Sequence, residues 1–214
     1  MKNVFFTALL ACLVLTGVNA QENESQDFSK WQVRLRGLAV VPNESATIQI
    51  IGGDVQIDNA YVPELDFTYF FTKNLAAELI LATTKHDVKT ISTAAGDIEL
   101  GYVWLLPPTL TLQYHFDGEV VHPYIGAGVN YTLFYNEDEG PVADKVSYDN
   151  SLGFDFQLGF DIDICDKWFI NLDAKYVLLN TDVTVNATTA LGATVGADVD
   201  INPFIAGIGI GRRF

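Results

Sequence analysis

The sequence predicts an all-β fold: an eight-stranded antiparallel transmembrane β-barrel with short periplasmic turns and long extracellular loops. Three observations carry this expectation. Hydropathy alternates with period two along the chain, the alternating stretches are roughly ten residues or longer, and the polar links between them are short and long by turns. Composition agrees. The chain has 214 residues, 12 Lys+Arg against 27 Asp+Glu, a formal charge of -15 and 49% hydrophobic residues. Phosphate binding needs clustered Lys and Arg, so this balance argues against a nucleic-acid partner. The 12% aromatic content is too rich for a disordered chain. Nothing after the N-terminal stretch is a run long enough for a membrane helix.

Lys2, the apolar run from Val4 to Val18 and the small-residue end Val18-Asn19-Ala20 have the three parts of a secretory signal peptide, with cleavage expected after Ala20. The competing reading is a lipoprotein box at Leu9-Leu10-Ala11-Cys12, which the strongly apolar residues after Cys12 disfavour. The remaining expected units are a polar segment over residues 21–30 and a barrel over 31–214. Removing the leader leaves Cys165 as the only thiol, so no internal disulfide can staple the exported fold.

Each strand follows from its period. Trp31, Val33, Leu35, Ala39 and Val41 share one face, with Gln32, Arg34 and Arg36 on the other. In Tyr61 to Thr72, Leu65, Phe67, Tyr69 and Phe71 oppose Glu64, Asp66 and Thr68. Leu75, Ala77, Leu79 and Leu81 then oppose Glu78 and Ile80, and Leu110, Leu112, Tyr114 and Phe116 oppose Thr111, Gln113 and His115. From Tyr124 to Tyr135, Ile125, Ala127, Val129, Tyr131 and Leu133 alternate with Gly126, Gly128, Asn130 and Thr132. Leu152, Phe154, Phe156, Leu158, Phe160 and Ile162 alternate with Gly153, Asp155, Gln157, Gly159 and Asp161. Trp168, Ile170, Leu172, Ala174, Tyr176 and Leu178 oppose Asn171, Asp173 and Lys175. The last strand sets Phe204, Ala206, Ile208, Ile210 and Phe214 against Ile205, Gly207, Gly209, Gly211 and Arg213. Short links at Thr72 to Asn74, Asp117 to His122 and Asp163 to Lys167 alternate with long ones at Asn43 to Asn59, His86 to Leu100, Asn136 to Asn150 and Asp182 to Asp198.

Alternation alone also fits a soluble sandwich or a lipocalin-like barrel with its apolar face inside. Strand length, the aromatics Trp31, Tyr61, Tyr69, Tyr135, Trp168 and Tyr176 near strand ends, and Phe214 on the apolar face favour the membrane barrel. In that register the lumen holds Arg34, Arg36 and Lys175 among Glu64, Asp66, Glu78, Asp155 and Asp173. Such a set serves either as a charge-paired plug or as a selectivity element at a constriction, and both need the same charges on the same face. Pro107 and Pro108 lack backbone donors at the start of a strand, which marks either a side exit towards lipid or the end of a loop.

Enzyme and metal readings find little support. The histidines are His86, His115 and His122; His86 and Ser92 have no third member for a triad, and His115 and His122 read as interfacial or turn residues. The acidic loop residues Glu137, Asp138, Glu139, Asp144 and Asp149, and Asp87, Asp97 and Glu99, match no calcium-loop spacing. Gly207-Ile208-Gly209-Ile210-Gly211 has no following helix to build a phosphate site, so no catalytic residue, metal or cofactor is expected.

Leu106-Pro107-Pro108-Thr109-Leu110 with Gln113-Tyr114-His115-Phe116, the segment Pro123 to Thr132 containing Gly126-Ala127-Gly128, Phe67-Thr68-Tyr69, Asn74 to Leu79 and Gly211-Arg212-Arg213-Phe214 resemble the OmpW family of outer-membrane proteins. The resemblance runs in order from about Trp31 to Phe214. It implies an eight-stranded barrel in a Gram-negative outer membrane, with lipid, lipopolysaccharide and the outer-membrane assembly machinery as partners, admitting small hydrophobic solutes through a narrow lumen. It implies an apolar constriction at the positions of Ile80 and Lys175, of which Lys175 departs from the apolar type. It also implies a C-terminal assembly signal, for which Arg212 departs from the usual aromatic and leaves Phe214, Ile210 and Ile208. The alternative function is a plugged barrel acting as a structural or surface-interaction protein through its loops.

Overall fold

A computed structural model describes residues 29–214. The expected leader, Cys12 and most of the polar N-terminal segment lie outside the described residues. The strands are β1 (Trp31–Val41), β2 (Ser45–Ile48), β3 (Asp54–Ile57), β4 (Ala60–Phe70), β5 (Leu75–Ala82), β6 (Thr84–Thr93), β7 (Gly96–Leu106) and β8 (Thr109–His115). They continue with β9 (Val121–Asp138), β10 (Lys145–Tyr148), β11 (Ser151–Cys165), β12 (Trp168–Leu178), β13 (Asn180–Ala187), β14 (Ala193–Asp200) and β15 (Phe204–Arg213), with one short helix, α1 (Thr188–Leu191), before β14.

Eight of these strands close a ring in the order β1, β4, β5, β8, β9, β11, β12, β15 and back to β1, every pair antiparallel. Closure leaves no backbone edge, the condition a sheet must meet in hydrocarbon. The seam is finished by the Phe214 amide, which donates to the Trp31 carbonyl at 2.8 Å. Outside the ring Leu35, Leu79, Leu112, Phe156 and Ile208 are exposed as a lipid-facing belt. Trp31 packs on Tyr69 and Tyr69 on Phe71 at the end carrying the short turns, with ring centroids 4.8 and 5.4 Å apart.

Above the ring the chain does something the sequence reading did not anticipate. The segments expected as long links are largely strand. β3, β6, β7 and the upper part of β9 form one sheet, and β10, β13, β14 and β2 form another. The two face each other across an apolar core that includes Val88, Val103, Leu105, Val183, Val199 and Ile201. Side-chain parity continues through the junction while polarity exchanges. Leu75, Leu79 and Leu81 point outward from β5, and the same face continues in β6 as Lys85, Asp87 and Lys89; inward, Glu78 gives way to His86 and Val88. Along β12 and β13 the inward series runs Asn171, Asp173, Lys175, Val177, Thr181 and Val183. Lipid outside demands an apolar outer face, and water outside demands a polar one. The Lys, Asp, Asn and Thr content that suggested loops is the outer half of amphipathic strands.

Inside the ring, glycines sit opposite the bulkiest lumen side chains. Gly209 pairs with Arg36 and with Asn171, and Gly211 pairs with Arg34. A Cβ at Gly209 would meet the Leu35 carbonyl and stand 2.7 Å from Arg36 Cα and Cγ, whereas one at Gly37, on the outer face, meets nothing within 4 Å. Gly209→Ala is therefore expected to lower barrel stability by about 1–3 kcal/mol, in the range of core overpacking, while Gly37→Ala is neutral within about 0.5 kcal/mol. Chemical-denaturation midpoints of the two variants in detergent micelles check this.

Candidate functional site

The lumen has two parts, a polar lower section and an apolar chamber above it. In the lower section β1 supplies two guanidiniums directly across from two carboxylates of β4, Arg34 opposite Asp66 and Arg36 opposite Glu64. Arg34 Nε donates to Asp66 at 2.7 Å, and its Nη2 to Glu78 at 2.5 Å and Thr68 at 3.0 Å. Arg36 Nη2 reaches the same Glu78 oxygen at 2.6 Å, its Nε donates to Glu64 at 2.6 Å, and its Nη1 lies 3.4 Å from Asp173. Lys175 Nζ lies 3.2 Å from Glu64 and 3.0 Å from Asp173. The structure thus gathers Arg34, Arg36, Glu64, Asp66, Glu78, Asp173 and Lys175 into one network. Ile80 and Asp155 lie above it, on the floor of the chamber.

The network is thicker than the expected set. Gln113 Nε2 donates to Glu78 at 2.6 Å and to Gln157 at 2.7 Å, and Gln157 Nε2 donates to Asp173 at 2.8 Å. The Tyr124 hydroxyl donates to Asp173 at 2.7 Å, and Asp161 accepts from Gln32 at 2.9 Å and Asn171 at 2.8 Å. Gln32, Arg34, Thr68, Glu78, Thr111, Gln113 and Asn171 are all fully buried, so side chains fill the cross-section. Most of these residues already stood on the inward face in the sequence; their mutual reach was not legible. His115 is a correction. It is no interfacial residue but is buried in the lumen, stacked on Tyr124 with ring centroids 4.9 Å apart and packed on Phe70 at 4.8 Å. The inward parity that places Gln113 places His115 too. His122 stays at the turn, half-buried, with Nε2 3.0 Å from Asp163.

The chamber above has a volume of about 140 Å³ and an apolar lining that includes Leu38, Val88, Val103, Leu105, Val183 and Val199. A dry apolar cavity of about this size accepts a benzene-sized molecule. Its wall is irregular beside Pro107 and Pro108. Pairing of β5 with β8 ends at Ile80 and Thr109, and pairing of β6 with β7 resumes at Thr84 and Leu105, so residues 81–83 face 106–108 without ladder bonds. Side chains take over. The Thr109 hydroxyl donates to the Pro107 carbonyl at 3.0 Å, Asn130 Nδ2 donates to it at 3.2 Å, and the Thr83 hydroxyl donates to the Leu105 carbonyl at 3.0 Å. On the lipid side a shallow hollow is lined by Leu35, Pro63, Leu65, Leu81, Thr83 and Leu106; Glu64 and Ala82 line both this hollow and the chamber.

Phe214, Ile210 and Ile208 are exposed on the lipid face, and the Arg212 guanidinium lies over the rings of Trp168 and Phe214, 5.4 and 5.1 Å from their centroids. His86 is buried on the chamber wall in the sheet above the ring. Its Nδ1–H donates to the Asp58 carbonyl at 2.7 Å. Burial holds its pKa below the ordinary 6.5, against the opposing pull of that carbonyl.

A closed eight-stranded ring with a lipid-facing apolar belt, an aromatic cluster at its short-turn end and a side-chain-filled lumen defines an outer-membrane β-barrel. The profile of the OmpW family matches residues 28–214. The chain belongs to the OmpW family and is a protein of the outer membrane. It is 40% identical to the outer-membrane protein y4mB of Sinorhizobium fredii, over 98% of this chain and 92% of that one. It is 31% identical to outer membrane protein W of Vibrio cholerae, over 85% of this chain and 87% of that one. The crystal structure of the outer membrane protein OprG from Pseudomonas aeruginosa superposes with a TM-score of 0.81 at 30% identity, covering 87% of this chain and 96% of that one.

Two outcomes follow from this geometry. Arg34→Met leaves Asp66 and Glu78 buried with half their cationic partners gone, and is expected to cost about 3–5 kcal/mol, read as a lowered denaturation midpoint of the folded barrel. For His86, the folded state resists a proton that the unfolded chain takes up. Stability is therefore fully present above 6.5 and declines as pH falls below it. The thermal midpoint is expected to drop between about pH 7 and about pH 5, and His86→Asn, which keeps a donor for the Asp58 carbonyl, flattens that drop.

Proposed function

We propose that this barrel is a passive pathway for small hydrophobic or amphipathic molecules, which collect in the apolar chamber and leave sideways into the membrane beside Pro107 and Pro108. The observation that carries the reading is the chamber itself: an apolar cavity of about 140 Å³ whose floor is the ion network. An apolar solute gains nothing by entering a region of paired charges, because it would have to displace hydrogen bonds it cannot replace. Sideways, the obstacle is smaller. Ala82 stands between the chamber and the lipid-side hollow, and Pro63 and Pro107 flank it, neither with an amide to donate. Ile80 and Lys175 then mark the bottom of the pathway, and the inward carboxylates and guanidiniums serve to close the axis. Phe214, Ile210 and Ile208 are the residues to which the outer-membrane assembly machinery binds on this reading, and lipopolysaccharide is the surrounding outer leaflet.

The same closed lumen favours a second reading, a barrel without a solute, whose two-sheet extension works as a structural or surface-interaction module. Uptake of a hydrophobic fluorescent probe into liposomes containing the purified protein separates the two. The conduit reading expects uptake above that of empty vesicles and a fall of about tenfold in the protein-dependent rate for Ala82→Phe, which thickens the wall, with Glu78→Gln leaving the rate nearly unchanged. Uptake equal to that of empty vesicles selects the second reading.

A further inference from the structure

At the short-turn end of the barrel, β15 presents a cation to lipid. Arg212 is exposed on the same face as Ile208, Ile210 and Phe214, between its register partners Val33 of β1 and Trp168 of β12. All its neighbours on that face are apolar or aromatic. The other three arginines are provided for: Arg34 and Arg36 lie among lumen carboxylates, and Arg213 Nη1 is held by Asp163 at 2.5 Å. Arg212 has, among the described residues, neither a carboxylate in ion-pair reach nor a hydrogen-bond acceptor. The rings of Trp168 and Phe214, 5.4 and 5.1 Å from its guanidinium carbon, attract the charge. Neither side chain has an oxygen to accept from its five N–H groups. The position is at the membrane boundary, because the Phe214 amide donates to the Trp31 carbonyl and Trp31 packs on Tyr69 in the aromatic cluster. A cation on the lipid face of a barrel is costly at mid-membrane and tolerated at that boundary, where lipid phosphates come within reach.

We infer that Arg212 is a phospholipid site: its guanidinium donates to the phosphodiester oxygens of a lipid in the periplasmic leaflet, whose acyl chains lie along Ile210 and Ile208. A planar guanidinium fork matches two phosphate oxygens at once, and the flanking rings hold its plane. The surrounding charge favours an anionic head group. Lys30 and Lys167, both exposed, stand immediately before β1 and β12, the two strands that flank β15. Against them is the exposed acid Asp166, while Asp163 is engaged by Arg213 and His122. Inorganic phosphate would satisfy the same donors but brings no hydrocarbon to cover the isoleucines, so a lipid is the occupant that the whole face fits. The site lies at the opposite end of the barrel from the chamber and does not depend on the passage of a solute. It gives the cation that stands where the family resemblance implies an aromatic a task of its own.

The test is carbon–phosphorus dipolar recoupling by solid-state NMR on the protein with its arginine Cζ atoms enriched in carbon-13. Arg34, Arg36, Arg212 and Arg213 are the only arginines, so the spectrum is simple. In phosphatidylglycerol bilayers and phosphate-free buffer the lipid is the sole source of phosphorus. One arginine signal is expected to be dephased, at a carbon-to-phosphorus separation of about 4 Å set by guanidinium–phosphate hydrogen bonds. Arg212→Lys is expected to remove that signal and Arg213→Lys to leave it. In bilayers of a phosphorus-free galactolipid with inorganic phosphate in the buffer, no arginine signal is expected to be dephased. Absence of dephasing by the wild-type protein in phosphatidylglycerol overturns the inference. Dephasing that survives Arg212→Lys, or that vanishes with Arg213→Lys, overturns it as well. Dephasing in the galactolipid bilayers assigns the site to free phosphate and overturns the lipid as its occupant.

Discussion

Hydrocarbon offers a peptide group no hydrogen-bond partner, and the rest of this structure depends on how the chain meets that constraint. A sheet in lipid has to close on itself. With eight staves the closed ring is narrow, so the inward side chains must pack against one another across its axis. Those side chains cannot be arbitrary. Each arginine of β1 has a carboxylate of β4 as its register partner, and the glycines of β15 leave room for both. Ring closure thus sets the lumen width, lumen width demands a filled interior, and the filling must be neutralised locally because water is excluded.

The constraint is released above the membrane, and the chain changes its answer there without changing its geometry. The strand period continues from β5 into β6 and from β12 into β13, while polarity swaps between faces. The swap creates the apolar chamber. Inward side chains that had to be polar beneath it, where the outside is lipid, become free to be apolar once the outside is water. A hydrophobic cavity on top of a charged plug is therefore the product of one repeating pattern crossing one boundary.

Much of this was legible in the sequence, for a reason that can be stated. The alternation of Leu152 to Ile162 or Leu75 to Leu81 encodes which face meets lipid, and parity alone assigns Arg34, Glu78, Asp155 and Lys175 to the lumen. Parity also places His115 on that face; its closeness to a turn suggested a different environment. What pattern does not encode is distance across the ring. That Glu78 of β5 receives both arginines of β1, or that Asp161 closes on Gln32, depends on which staves face each other through the axis. The upper sheets were missed because Val88, Val183 and Val199 alternate with charged or polar residues in short stretches broken by Gly and Asn, a composition that reads as loop when no partner sheet is in view.

Lys175 shows how the two regions divide their work. The family resemblance implies a large apolar residue at this position, and the chain carries a lysine instead. Its ammonium is held between Glu64 and Asp173, so its charge is neutralised within the plug while the side chain borders the chamber floor. The apolar lining lies higher, in the valines and leucines of the facing sheets. Glu64, reached by both Arg36 and Lys175, is where the divisions meet: it caps the ion network, borders the chamber and lines the hollow on the lipid side. A carboxylate neutralised from two directions can stand at the boundary between a charged plug and an apolar chamber. The register partner of Glu64, Ala82, borders the same chamber and the same hollow.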